Sequence, residues 1–251
     1  MTQIYFTPVL FFIIAFIFSM LGMGGAQLYV PILFWLGMDF KTQAIPLGML
    51  LGVVTSSSAA LTYGRKKMIN WKVAVPFGVA MIMLAPLGAW LNIALPTKLI
   101  IIIFALFTVA AATLMLSGWR PKQGGLSLKG RIILGTSGGS IIGFFAGLLG
   151  RGGGAFVVPL LYIAGLEAKA AAATSAFVVT CSGTSSFLSH MVTAAEPQWT
   201  VWIPCLVSVL IAGQSGSRLM VTKMKSEYVK LVFGIVLFGV AATLIFQGIS
   251  M

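Results

Sequence analysis

The chain has 251 residues, of which 59% are hydrophobic and only 8% charged, with a mean hydropathy of +1.05. A soluble domain carries about 25% charged side chains, so a soluble fold is excluded and an all-α polytopic membrane protein is expected. The formal charge of +12 would suggest nucleic acid in a soluble chain. Here the basic residues lie in short connections between apolar segments, read as topogenic charge facing the cytoplasm, and no nucleic-acid partner is expected.

Taken in order, the candidate spans are 5–21, 43–63, 73–94, 99–116, 132–149, 170–192, 200–219 and 229–246. Each approaches the roughly 20 residues needed to cross about 30 Å of hydrocarbon. None alternates with period two, so they are helices and not barrel strands. Met1-Thr2-Gln3 offers no basic n-region, and no cleavable signal peptide is expected. Cys181 and Cys205 both fall inside spans, imply no disulfide framework and read as small packing residues.

Two further segments are interrupted. Gly22-Met23-Gly24-Gly25 runs into Leu28-Tyr29-Val30-Pro31-Ile32-Leu33, and Gly150-Arg151-Gly152-Gly153-Gly154 runs into Phe156-Val157-Val158-Pro159-Leu160-Leu161. The two clusters belong to an internal repeat. A shift of 128 positions carries Pro31 onto Pro159, and without a gap it carries Trp71 onto Trp199, Pro76 onto Pro204 and Gly88 onto Gly216. It also places Ser57 and Ser58 on Ser185 and Ser186, and Asp39 and Lys41 on Glu167 and Lys169. The chain therefore reads as a first transmembrane repeat (1–118), a polar cytoplasmic linker (119–130) and a second transmembrane repeat (131–251).

Each unit holds a broken segment and three full spans, about eight transmembrane helices when each broken helix is counted once. If the broken segment crosses, the copies are parallel; if it turns back at the glycines, they are inverted. Inversion puts thirteen of the sixteen Lys and Arg on one side, leaves Lys41 and Lys98 on the other, and sets Arg151 at a break. The parallel arrangement splits them eight against seven. The positive-inside rule thus favours two inverted repeats, each a broken-helix hairpin plus three transmembrane helices, with both termini on the non-cytoplasmic side of the cell membrane.

Half-helices that begin near the midplane aim unsatisfied N–H groups and positive dipole ends at one place, which suits an anion. Arg151 adds a charge that costs at least about 2.5–3.5 kcal/mol near the bilayer centre. Its repeat partner is the neutral Met23. The candidate substrate-binding residues are accordingly Gly24, Gly25, Ala26, Arg151, Gly152, Gly153 and Gly154, with Ser57, Ser58, Ser185 and Ser186 as hydroxyl donors. Ser57 and Ser185 rank first because the repeat keeps them, and Cys181 and Gln214 are weaker candidates. His190, at the end of its span and close to Glu196, reads as a surface or interfacial histidine. Asp39, Glu167, Glu196 and Glu227 fall at span ends or in connections, leaving no evident intramembrane carboxylate to carry a proton.

The pattern Gly-x-Gly-Gly-(x)4-Val-Pro, repeated in two highly apolar halves at Gly22–Pro31 and Gly150–Pro159, resembles the sulfite exporter TauE/SafE family. The resemblance spans essentially the whole chain through the Trp71/Trp199 and Pro76/Pro204 landmarks. It implies a secondary transporter of sulfite or a related organosulfur anion, usually an exporter, in the cytoplasmic membrane. A passive anion channel and an importer are the alternatives, and an enzyme is not expected, since one histidine and four peripheral acids offer no nucleophile–base pair or metal cluster. The expected partners are the small anion and membrane lipid. No cofactor or metal is expected, and a homodimer is compatible with the sequence.

Overall fold

Apolar segments in hydrocarbon must satisfy their backbone internally, which a helix does within one segment. The computed structural model, which describes residues 2–117, 127–150 and 153–250, has ten α-helices and no strand among the described residues. They are α1 (Thr2–Leu21), α2 (Ala26–Trp35), α3 (Ile45–Arg65), α4 (Trp71–Ala94), α5 (Thr97–Leu116), α6 (Leu128–Leu149), α7 (Gly154–Ile163), α8 (Ala168–His190), α9 (Trp199–Lys223) and α10 (Ser226–Ser250). Six segments among the described residues are long and apolar enough to cross a membrane: Phe40–Arg65, Trp71–Ala94, Leu128–Leu149, Ala168–Thr193, Trp199–Lys223 and Ser226–Thr243. The expected spans 5–21 and 99–116 are helical, as α1 and α5, but stand outside that group of six. Most of the polar linker, residues 119–126, lies outside the described residues. Its last part opens α6, where the Ser127 hydroxyl caps the helix by accepting from the Gly130 N–H.

The two copies exchange helices. α4 lies along α6 and α1 along α9, while α3 packs on α8 and α5 on α10. At both outer contacts a glycine lets the backbones meet, as small residues do between membrane helices. A Cβ at Gly88 would land on the carbonyl oxygen of Phe144, and one at Gly216 on that of Phe16. The second pair is the first displaced by the repeat in both members.

The lysines at 41 and 169 are matched in the same way. Lys41 Nζ donates to the carbonyls of Asn92, Ile93 and Leu95 at 3.0, 3.3 and 3.4 Å, at the end of α4. Lys169 Nζ donates to those of Val221 and Met224, both at 3.0 Å, at the end of α9. A cation there satisfies orphan carbonyls and opposes the negative end of the helix dipole.

The register is not uniform, and this corrects the serine pairing expected from an ungapped shift. Ser58 Oγ donates to Leu210 O at 3.2 Å, and the bond made to the matching carbonyl, Ile82 O, comes from Ser185 Oγ at 2.9 Å. Ser58 and Ser185 are 127 positions apart, so Ser58 corresponds to Ser185 and not to Ser186. The same offset relates Thr62 and Ser189, whose hydroxyls donate to the carbonyls of Ser58 and Ser185. The cause lies at Phe40–Ala44, a π-helical turn that precedes α3 and has no counterpart before α8. A π-turn inside a helix accommodates one extra residue.

α3 and α8 run through the centre, with Thr55, Ser56, Ser58, Thr174, Ser175, Ser182 and Ser186 buried along them. Large apolar side chains such as Phe6, Trp90, Leu106, Ile133 and Phe238 point outward. No Asp, Glu, Lys or Arg is buried among the described residues.

Candidate functional site

Gly22 and Gly150 end the first arms with φ of 69° and 58°, a left-handed turn that a side chain resists. α2 and α7 then restart as ten-residue helices, each about 15 Å long and so about half the thickness of the hydrocarbon core. Pro31 and Pro159 each sit inside them. Neither helix has a side-chain cap. Their first main-chain bonds run from Leu28 and Tyr29 to Gly25 O, and from Phe156 and Val157 to Gly153 O. The N–H groups of Ala26 and Gln27, and those of Gly154 and Ala155, therefore find no acceptor among the described residues. Each such terminus carries about half a positive elementary charge.

The start of α7 touches the glycine turn that leads into α2. A Cβ added at Gly154 would land on the carbonyl oxygen of Met23 and lie 2.6 Å from its Cα. Gly24 fits between α3 and α8, where a Cβ would stand 3.0 Å from Gly52 O, 3.1 Å from Val179 Cγ1 and 3.5 Å from Ser56 Cβ. Ala26, the first residue of α2, is buried against Gly52. Gly25 lies under the ring of Tyr29, whose hydroxyl is 3.1 Å from Thr55 Oγ1, and Thr55 in turn donates to Leu51 O at 2.8 Å. Gly153 lies instead under Met81 and Ile142. Arg151 and Gly152 lie outside the described residues.

The four candidate serines take different places. Ser57 Oγ bonds back to Val54 O of its own helix at 3.2 Å. Ser58 ties α3 to α9, donating to Leu210 O and accepting from Gln214 Nε2 at 3.0 Å, and Ser185 ties α8 to α4 through Ile82 O. Ser186 is buried with no partner for its hydroxyl among the described residues. The serine whose Cβ stands beside Gly24 is Ser56, whose hydroxyl accepts from Thr180 at 3.0 Å. Gln214 serves the α3/α9 seam: it also donates to Ser58 O at 2.9 Å and accepts from Thr62 at 3.3 Å. Cys181 lies against Gly78 of α4.

His190 corrects the expectation of a surface histidine. It is 3% exposed, and its Nε2 lies 3.0 Å from Gly147 O, near the end of α6. In the first copy the matching carbonyl, Ser19 O, accepts from the hydroxyl of buried Tyr63 at 2.7 Å. Both groups thus hold the arm before the break, and the offset of 127 relates them too.

Gln27 is the residue that the sequence analysis passed over. It is fully buried at the second position of α2, and neither Oε1 nor Nε2 has a hydrogen-bond partner among the described residues. The available signal was a lone carboxamide in an apolar half-helix opposite Ala155 in the other copy. No group of three His, Cys, Asp or Glu able to hold a metal occurs among the described residues. Two uncapped N-termini, hydroxyls and an idle carboxamide in an apolar surround can bind a small anion through neutral donors.

Six helices long and apolar enough to span a membrane, with two half-length helices opening at glycine turns, mark a multi-pass membrane protein and fit a plan recurrent among transporters. The family profile described as Sulfite exporter TauE/SafE matches residues 8–244, and the chain belongs to that family. It is 24% identical to the "Probable membrane transporter protein YunE" of Bacillus subtilis (strain 168), over 92% of this chain and 93% of that one. It is 25% identical to the "Probable membrane transporter protein MJ0441" of Methanocaldococcus jannaschii, over 74% and 71%. It is also 27% identical to the "Probable membrane transporter protein ORF9" of a Sinorhizobium species, over 84% and 81%. No solved structure matches.

Proposed function

We propose that this protein is a secondary transporter that exports sulfite or a related small organosulfur anion across the cytoplasmic membrane. The observation that carries the proposal is the contact of Gly154 with Met23, which brings the uncapped start of α7 against the turn that leads into the uncapped start of α2. Main-chain N–H groups of Gly24–Ala26 and Gly152–Gly154 hold the oxyanion and Arg151 adds charge; of the four candidate serines only Ser186 keeps an uncommitted hydroxyl, since those of Ser57, Ser58 and Ser185 already donate to main-chain carbonyls. The copies are inverted, as the one-sided distribution of Lys and Arg supports, with both termini outside. Discontinuous helices in inverted repeats, with substrate at the midplane, are a recurrent plan of alternating-access transporters. An anion leaving a cell that is negative inside gains about 2.3 kcal/mol per charge per 100 mV, so export runs without a coupled ion.

Purified protein in liposomes is expected to carry saturable sulfite flux with counterflow, reduced about tenfold or more in Arg151→Ala. Unchanged flux in that variant removes Arg151 from the site. Unitary currents without counterflow would replace the transporter by a passive anion channel, and net uptake against the potential would make it an importer.

A further inference from the structure

We infer that Gln27 reads the protonation state of the anion, selecting an oxyanion head that carries one O–H over the fully deprotonated head. This rests on the anion reading above. Side chains on a helix lean toward its N-terminus, so a residue at the second position of α2 lays its carboxamide over the opening turn. That turn offers the unused N–H groups of Ala26 and Gln27. The carboxamide is fully buried, and both of its polar atoms lack partners among the described residues.

A buried amide left idle is costly, so a ligand that engages both atoms is favoured over one that engages a single atom. Nε2 can donate to an anionic oxygen. Oε1 can only accept, and a fully deprotonated oxyanion gives it nothing. A head with an S–O⁻ and an S–O–H on the same sulfur, as in hydrogensulfite, pairs with the two amide atoms side by side. The second copy has Ala155 at this place, so the reading is made once per molecule. The same choice bears on coupling: no carboxylate is buried among the described residues, and a substrate that keeps its O–H carries its own proton, moving one acid proton with each single negative charge.

Two probes of nearly equal shape and equal charge separate the possibilities: methylphosphonate, under mildly acidic conditions where it is a monoanion with one O–H, and methanesulfonate, which has none. Binding to the full-length protein in detergent is expected to favour methylphosphonate by about tenfold, the effect of one hydrogen bond. Gln27→Met, of similar volume, is expected to bring the two within about twofold. The unliganded variant should unfold at the same temperature as the parent or higher, because an idle buried amide has been removed. Equal binding of both probes by the parent overturns the inference, as does a preference that survives in Gln27→Met. A markedly lower unfolding temperature for the variant also overturns it, since the carboxamide would then be engaged within the protein. If folded parent protein binds neither probe nor sulfite, the anion reading itself falls and this inference with it.

Discussion

The two breaks share a backbone course but not a lining. In the first copy Gly25 lies under Tyr29, which packs at a tilt against Phe11 and bonds Thr55, and Gln27 follows inside the opening turn. In the second copy Gly153 lies under the aliphatic side chains of Met81 and Ile142, and Val157 and Ala155 stand where Tyr29 and Gln27 stand in the first. The two breaks share what the bilayer demands of the main chain, namely a turn, an uncapped half-helix and a close helix contact. They differ in the side chains beside it. Among the described residues the polar side chains of the half-helices' opening turns, Gln27 and Tyr29, belong to the first break.

The largest expected effect separates Gly22 from Gly150. An alanine at either pays about 1–2 kcal/mol for its left-handed backbone. At Gly22 the new Cβ also meets the main-chain carbonyl of Ala172, which cannot turn aside, adding about 1–3 kcal/mol. At Gly150 it meets the Ile45 side chain at 2.6 Å. Unfolding in detergent should show Gly22→Ala as the more damaging change. A double-mutant cycle should show Ile45→Ala recovering part of the loss in Gly150→Ala, and Ala172→Gly recovering nothing in Gly22→Ala.

Next come Lys41→Met and Lys169→Met. Each removes charge-assisted bonds to the last carbonyls of a helix and is expected to cost about 1 kcal/mol. Near-equality of the two losses would support equivalent roles in the two copies; a difference of a factor of three would break it. Smaller still are Ser58→Ala and Ser185→Ala, about 0.6 kcal/mol each, the usual size of an interhelical bond in a membrane protein. Ser57→Ala should cost less than either, since its bond stays within α3. A larger loss for Ser57 than for Ser58 would restore the ungapped pairing.

The smallest effect is one of pH. The Asp39 carboxylate accepts from the Thr42 N–H at 2.8 Å and its hydroxyl at 2.7 Å, and these bonds hold its pKa below the ordinary value. A depressed folded-state pKa contributes stability that is complete above the unfolded value, about 3.9, and is lost as pH falls through the lower folded one. Asp39→Asn should flatten that acid-side fall in the unfolding temperature. Glu167, at the matching place, makes no such cap bond.

Composition and the missing period-two pattern made the helical membrane class readable, and the two glycine clusters located the half-helices closely: α2 and α7 open at Ala26 and Gly154. Those features depend on local chemistry. The partner exchange between copies was not readable, because Gly88 and Gly216 appear in sequence only as kept glycines, and nothing local says that Phe144 and Phe16 lie opposite. His190 was misjudged since its distance from the span's end says nothing of the α6 carbonyl that waits for it. Ser57 was ranked above its neighbours on an ungapped shift, and a single π-turn carries no residue signature that an apolar background would reveal.

That turn at Phe40–Ala44 also limits how the halves can be recombined. One residue added to a helix rotates everything beyond it by about 100°, unless the helix widens locally to take it in. A chimera that swaps the α8 segment into the place of α3 keeps its seams aligned only if residues are matched 128 apart before the turn and 127 apart beyond it. A junction beyond the turn drawn 128 positions apart would swing Ser185 away from the Leu210 carbonyl and His190 away from that of Ser19. The two halves of this chain match in landmarks, yet as interchangeable parts they have separate threads.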